Sequence, residues 1–316
     1  MLIRSILRTV IVAACLLFGE SAVAENARIL LICGDQHEST LRTIKGVKQG
    51  IKGCGITAQI EIITATPSEN ERETLDRKKS EFAPDVVVTV GSRSTRLAKT
   101  LIDDTPIVFA SVLNPVTSGF IDSYDFPGDM LTGASLDIAV DIQLEQFRQL
   151  VPSIRKIGVM HSGQTKYIVN QAIQWAATHS IELIPFKVVS AKDVPKAVDS
   201  LITSCDGLWA IPDELIYTPQ STKHILLETF RNRIPIMGFS PSFVKSGALF
   251  ALAVDHKFIG LQAGELVGKI LKGASPGQLP ITTPEAPYLY INRNTAEKLR
   301  IQVNPDFYTV AKEVYE

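Results

Sequence analysis

Residues 85–102 read DVVVTVGSRSTRLAKTLI and change character at Gly91. Before the glycine, positions 86–90 are all Val or Thr. The run is too short for a helix and has no polar face, so it predicts a strand covered on both sides, as in a parallel sheet. After the glycine, Ser92, Ser94 and Thr95 open a stretch with helical spacing through residue 102. Strand, glycine, hydroxyl-rich helix start: this is the unit of an α/β fold.

The same unit recurs in both directions. Upstream, residues 28–33 (RILLIC) form a short apolar run ending at Gly34-Asp35, followed by helical spacing over 41–51. Residues 57–64 predict a strand and 67–82 a charged helix. Downstream, 106–109 is a further strand. The alternation restarts after about residue 138. Strands are expected at 156–160, 181–189, 207–211, 235–238, 248–254 and 288–291. Helices are expected at 141–150, 164–179, 191–203, 221–232, 258–271 and 294–299. Two sets of strands predict two α/β lobes, each a doubly wound parallel sheet. Residues 124–135, rich in Pro, Gly and Asp, suit a crossing between them.

The amino terminus reads as a targeting segment. Arg4 and Arg8 precede an apolar stretch over 10–18, and Ala22-Val23-Ala24 supplies the small residues of a cleavage site after Ala24. The alternative is a lipid anchor at Cys15. The apolar stretch falls short of the roughly 20 residues of a membrane span. With residues 1–24 removed, 292 remain, enough for two medium domains. A net charge of −1 gives no electrostatic footprint for nucleic acid. Cys33, Cys54 and Cys205 remain, an odd number without CxxC or Cys/His spacing. Buried free thiols are expected rather than a metal site.

Ligands of open parallel sheets bind at the carboxyl ends of strands. Those ends carry Gln36; Ser92, Ser94 and Thr95; Ser111 and Asn114; Ser162 and Thr165; Asp213; and Ser240. Asp255 follows the 248–254 run. Each is also an ordinary helix-capping residue type. Free N–H groups and the positive helix end at 91–95 favour an anion such as a carboxylate, with Arg93 as a candidate partner. Asp213 or Asp255 is placed to accept from a ligand ammonium. Phe109, Tyr167, Trp209, Tyr217 and Phe239 are candidate ring walls. Catalytic signatures are missing. Arg93 stands where a nucleophile elbow needs serine, there is no GxGxxG or GxxxxGK[ST], and the five histidines show no HxH or HxxxH spacing.

The ordered set VVVTVGSRSTRLAK, TPIVFASVLNPVTSGFI, PGDMLTGASLDI, KIGVMHSGQTKYIVNQA, DGLWAIPDELI, PIMGFSPSFVKSGALFAL and AGELVGKILKGASPGQLP covers most of the chain. It resembles the substrate-binding proteins of ABC transporters, more narrowly those of the TrpX kind, with a type I periplasmic-binding fold. The resemblance implies a first lobe of 25–135 plus 256–282 and a second of 136–255 plus 283–316, joined by a three-crossing hinge. It implies a periplasmic, monomeric, non-enzymatic protein without cofactor or metal. Such a protein closes on one small polar ligand, an amino acid of the aromatic class by likeness to several relatives, and then docks on an ABC permease. The implied pocket is Gln36, Ser92, Ser94, Thr95, Ser111, Asn114, Ser162, Thr165, Asp213, Ser240 and Asp255. The same fold and pocket would serve a ligand-sensing subunit for a membrane sensor kinase or cyclase. An exported α/β hydrolase is the third alternative. The chain departs from the family pattern at Gln36-His37-Glu38-Ser39, where an acidic residue, His and Pro are common. It departs again at Asn114-Pro115, where Asp-Pro is common, and at Met130, where Asn is usual. The first two lie where ligand contacts are implied.

Overall fold

The computed structural model describes residues 26–65, 70–128, 130–284 and 286–316. The expected targeting segment, its cleavage site and Cys15 lie outside them. The chain divides into two compact units. One comprises the described residues up to Ser111, Phe120–Ala134 and Gly260–Ile281; the other comprises Val112–Gly119, Ser135–Ile259 and Thr282–Glu316. Three long exchanges, after Ala134, Ile259 and Ile281, are accompanied by one short excursion, Val112–Gly119, which groups with the second unit.

The first unit is built on β1 (Ala27–Cys33), β2 (Ala58–Thr64), β3 (Val86–Val90), β4 (Ile107–Val112) and β5 (Leu131–Ser135), in the order β2-β1-β3-β4-β5. β1 pairs in parallel with β2 and β3, and β3 with β4. β3 and nearly all of β1 are buried, as their unbroken apolar runs require, whereas the edge strand β2 is only partly covered. β5 falls in the stretch 124–135 expected to be a crossing. LTGAS carries little strand propensity, and its pairing and complete burial on the sheet edge make it a strand. Gly133 is required there, because a methyl would collide with Phe109.

The helices α1 (Glu38–Gly53), α2 (Glu71–Phe82) and α3 (Ser92–Leu101) follow β1, β2 and β3. α9 (His256–Leu271) lays Gly260, Gly264 and Gly268 along α1 at four-residue spacing. A Cβ on Gly50 would sit 2.9 Å from the Gly264 Cα, so only glycine permits this approach.

The second unit has the strand order β12-β11-β10-β9-β8-β6-β7. Its strands are β6 (Lys156–His161), β7 (Glu182–Lys187), β8 (Gly207–Trp209), β9 (Ile236–Gly238), β10 (Phe250–Ala253), β11 (Tyr288–Asn292) and β12 (Glu313–Tyr315). The helices are α4 (Val140–Leu150), α5 (Lys166–Thr178), α6 (Val194–Ile202), α7 (Pro219–Arg231), α8 (Pro241–Lys245), α10 (Arg293–Leu299) and α11 (Pro305–Val310). One apolar cluster joins β6, β8 and β10 to α4 and α5. A second joins α6, α7 and α8 to the sheet. Both faces are therefore covered, as the continuous strands predict. β10 and β11 pair antiparallel, so this sheet is not wholly parallel. The strand periodicity is the same for either direction, which is why the sequence left this hidden.

Cys33 and Cys205 are buried, Cys54 is half-buried, and all three thiols are free. Burial pushes the Cys205 thiol up to about 11. Among the described residues no helix is long and apolar enough to cross a membrane.

Candidate functional site

At the carboxyl end of the first sheet, β1 runs into Gly34-Asp35-Gln36. The Asp35 carboxylate accepts from Thr40 Oγ1 at 2.6 Å and from the His37 N–H at 2.9 Å, which fixes the entry to α1. These bonds, that from Thr40 foremost, hold Asp35 below the usual carboxylate range. Gln36 is exposed, and its Nε2 makes a long contact of 3.4 Å to Thr64 Oγ1.

β3 ends at Gly91, whose φ of +86° makes the sharp turn into α3. α3 has no side-chain cap, so the N–H groups of its first turn are left for another acceptor. The hydroxyls of this turn differ sharply. Thr95 is fully buried; its Oγ1 donates to the Gly91 carbonyl at 2.9 Å and lies 2.8 Å from Thr89 Oγ1. Thr95 therefore spends its hydroxyl proton on its own helix start. Ser94 is 1% exposed and its Oγ has no partner among the described residues. It lies beside Gly34, where a Cβ would come within 3.6 Å of that oxygen. Ser92 is partly exposed at the mouth of the same turn. Arg93, the candidate anion partner, instead binds Glu71 and the Ala65 carbonyl. A surface ion pair takes it, so the anion-binding capacity of this end rests on backbone N–H groups and hydroxyls.

Ser111, at the end of β4, has a φ of +59°, a left-handed conformation disfavoured for serine. Its Oγ sits 3.0 Å from Thr43 Oγ1 of α1.

The ends of the second unit are organised differently. Asn114 is also left-handed, at φ +51°, a conformation asparagine tolerates. Its N–H donates to the Asp137 carboxylate at 2.9 Å, and its side-chain Oδ1 accepts from Tyr167 OH at 2.8 Å. Asp137 also accepts from Ser135 Oγ at 2.9 Å. Asp213 is buried, and its Oδ2 accepts from Thr165 Oγ1 at 2.7 Å and the Ser162 N–H at 3.2 Å. Its Oδ1 accepts from the Leu215 N–H at 3.1 Å. Asp213 thereby locks the loop after β6 to the loop after β8, and Ser162 Oγ accepts the Gln164 N–H at 3.1 Å. Ser240 caps α8 by accepting the Phe243 N–H, and Asp255 accepts the Lys257 N–H at the start of α9. Of the candidate rings, Phe109 and Trp209 are core; Tyr167, Tyr217 and Phe239 are partly exposed. Among the described residues no group of three His, Cys, Asp or Glu is placed to hold a metal ion.

The sequence profile of the family described as ABC transporter substrate binding protein matches residues 30–315. The chain belongs to that family. This substrate-binding protein is 28% identical over 274 residues to a tyrosine-binding protein of Clostridioides difficile, across 84% of this chain and 79% of the relative. Among solved structures it is similar to a ligand-free, open substrate-binding protein with adhesive properties from Clostridium difficile. That likeness has a TM-score of 0.75 and 21% identity over 92% of this chain and 99% of the other. It is similar as well to an ABC domain from Streptococcus pneumonia in complex with L-Trp, with a TM-score of 0.66 and 21% identity over 92% and 99% of the chains. Both neighbours have the type I periplasmic-binding fold.

Sequence reasoning missed Thr43, Asp137 and Tyr167 as organisers of the substrate-binding protein's loops. Thr43 and Tyr167 are helix residues, and Asp137 lies beyond a strand that its sequence conceals. Only the contacts with Ser111 and Asn114 give them a role.

Proposed function

We propose that this substrate-binding protein is the exported, periplasmic solute receptor of an ABC importer. It binds one small amino acid, with the aromatic class favoured, between its two units. A three-crossing hinge lets the units close, and the closed form is read by the permease. Closure is driven by the ligand's higher affinity for the closed form. No covalent step is involved.

The observation that carries this reading is the uncapped start of α3 with the buried, unpartnered Ser94 hydroxyl beside Gly34. A buried hydroxyl without a partner is costly, and a helix amino terminus is a ready anion site. An α-carboxylate satisfies both at once. Gln36, Ser92 and Ser111 stand at neighbouring strand ends of the same sheet. In the second unit, Asn114 offers its amide N–H groups and Asp213 its negative field. Ser162 and Thr165 hold Asp213 in place, while Ser240 and Asp255 cap the helices that border the site. Family membership supports a binding protein, and the tyrosine-binding relative supports the ligand class.

Thermal melting of the purified protein against amino acids, purines, sugars and organic acids tests this. An amino acid at about 100 times its dissociation constant should stabilise the fold by about 2.7 kcal/mol, visible as a shift of a few degrees. A panel in which only sugars or purines shift the melt would contradict the amino-acid assignment.

A further inference from the structure

The Tyr217 hydroxyl is buried and has no hydrogen-bond partner among the described residues. Its ring packs edge-on against Phe239 at 5.3 Å and Phe243 at 5.7 Å, and those two rings lie 5.0 Å apart. A phenylalanine would make the same ring contacts. The oxygen therefore adds nothing to this cluster and costs the desolvation of an unmade bond. Burial and the Asp213 charge push the phenol well above its ordinary value, so it is protonated at neutral pH and able to donate.

We infer that Tyr217 is a specificity-determining residue: its hydroxyl receives a neutral hydrogen-bonding substituent carried by the aromatic ring of the ligand, such as a phenol O–H. This rests on the amino-acid reading above. Three rings offer an apolar wall for a ligand ring, and the one polar atom in the wall selects for one polar atom on that ring. The negative Asp213 close by, fixed by Ser162, Thr165 and Leu215, disfavours an anion there. The ligand carboxylate is thus directed elsewhere. Tyr217 and Phe239 are the partly exposed rings of the cluster, and Phe243 is buried.

The test is calorimetric titration of L-tyrosine and L-phenylalanine into the wild-type protein and Tyr217→Phe, with a thermal melt of each ligand-free protein. The wild type should prefer L-tyrosine by about tenfold or more, and Tyr217→Phe should bind the two alike. The ligand-free variant should melt at or above the wild-type temperature, because a buried unmade bond has been removed. A preference that survives in Tyr217→Phe, or a wild type without one, overturns the inference while leaving the amino-acid reading intact. A ligand-free variant that melts several degrees lower also overturns it, since the hydroxyl would then have a structural partner. If neither amino acid binds the wild type, this inference fails, and the amino-acid reading is decided separately by the melting panel above.

Discussion

GSRST at 91–95 and HSGQT at 161–165 occupy the same place in two sheets, at the end of an interior strand and the start of a helix. Both carry Ser at the second position and Thr at the fifth, yet the bonding around them differs. In the second unit a buried carboxylate, Asp213, reaches across from the β8 loop and takes the Thr165 hydroxyl and the Ser162 N–H. In the first, Ser94 Oγ has no partner among the described residues, although α3 and α5 alike lack a side-chain cap. The Thr95 and Thr165 hydroxyls are both tied within their own units; the difference lies in Ser94, whose hydroxyl has no partner among the described residues. The tie in the second unit is an acidic residue about fifty positions away in the chain.

Two substitutions are designed to break this comparison. Asp213→Ala should have the larger effect. It leaves the Thr165 hydroxyl and the Ser162 and Leu215 N–H groups without their acceptor, and should cost roughly 3 kcal/mol in urea unfolding. A loss below about 1 kcal/mol would mean that the second loop is not locked by this carboxylate. Ser94→Ala should leave stability within about 0.5 kcal/mol of wild type, or slightly raise it, because the lost hydroxyl had no partner. Its amino-acid affinity should fall by about tenfold. A destabilisation comparable to that of Asp213→Ala would show that the first loop is as closed as the second.

The sequence made the strand ends legible because buried parallel strands are unbroken apolar runs. Gly91 marked the turn because its left-handed φ favours glycine. The division of labour within each end was not legible. Ser94 and Thr95 are adjacent, and successive residues on a helix point about 100° apart, so one faces its own core bonds while its neighbour stays unpartnered. Both are hydroxyls, and composition cannot distinguish them. Asp213 was legible as a carboxylate at a strand end. That its acceptors are occupied follows only from the tertiary approach of the β6 loop. β5 was hidden because Leu131–Ser135 carries little strand propensity; β11 was expected at 288–291, and only its antiparallel direction was hidden, because alternation carries no direction.

The most direct test of the account compares L-tyrosine with tyramine, the same molecule without its carboxylate, by calorimetric titration into the wild-type protein. If the start of α3 anchors an amino-acid carboxylate, L-tyrosine binds and tyramine binds at least about a hundredfold more weakly. Equal affinity for the two would contradict the carboxylate site and, with it, the functional reading of the open loop.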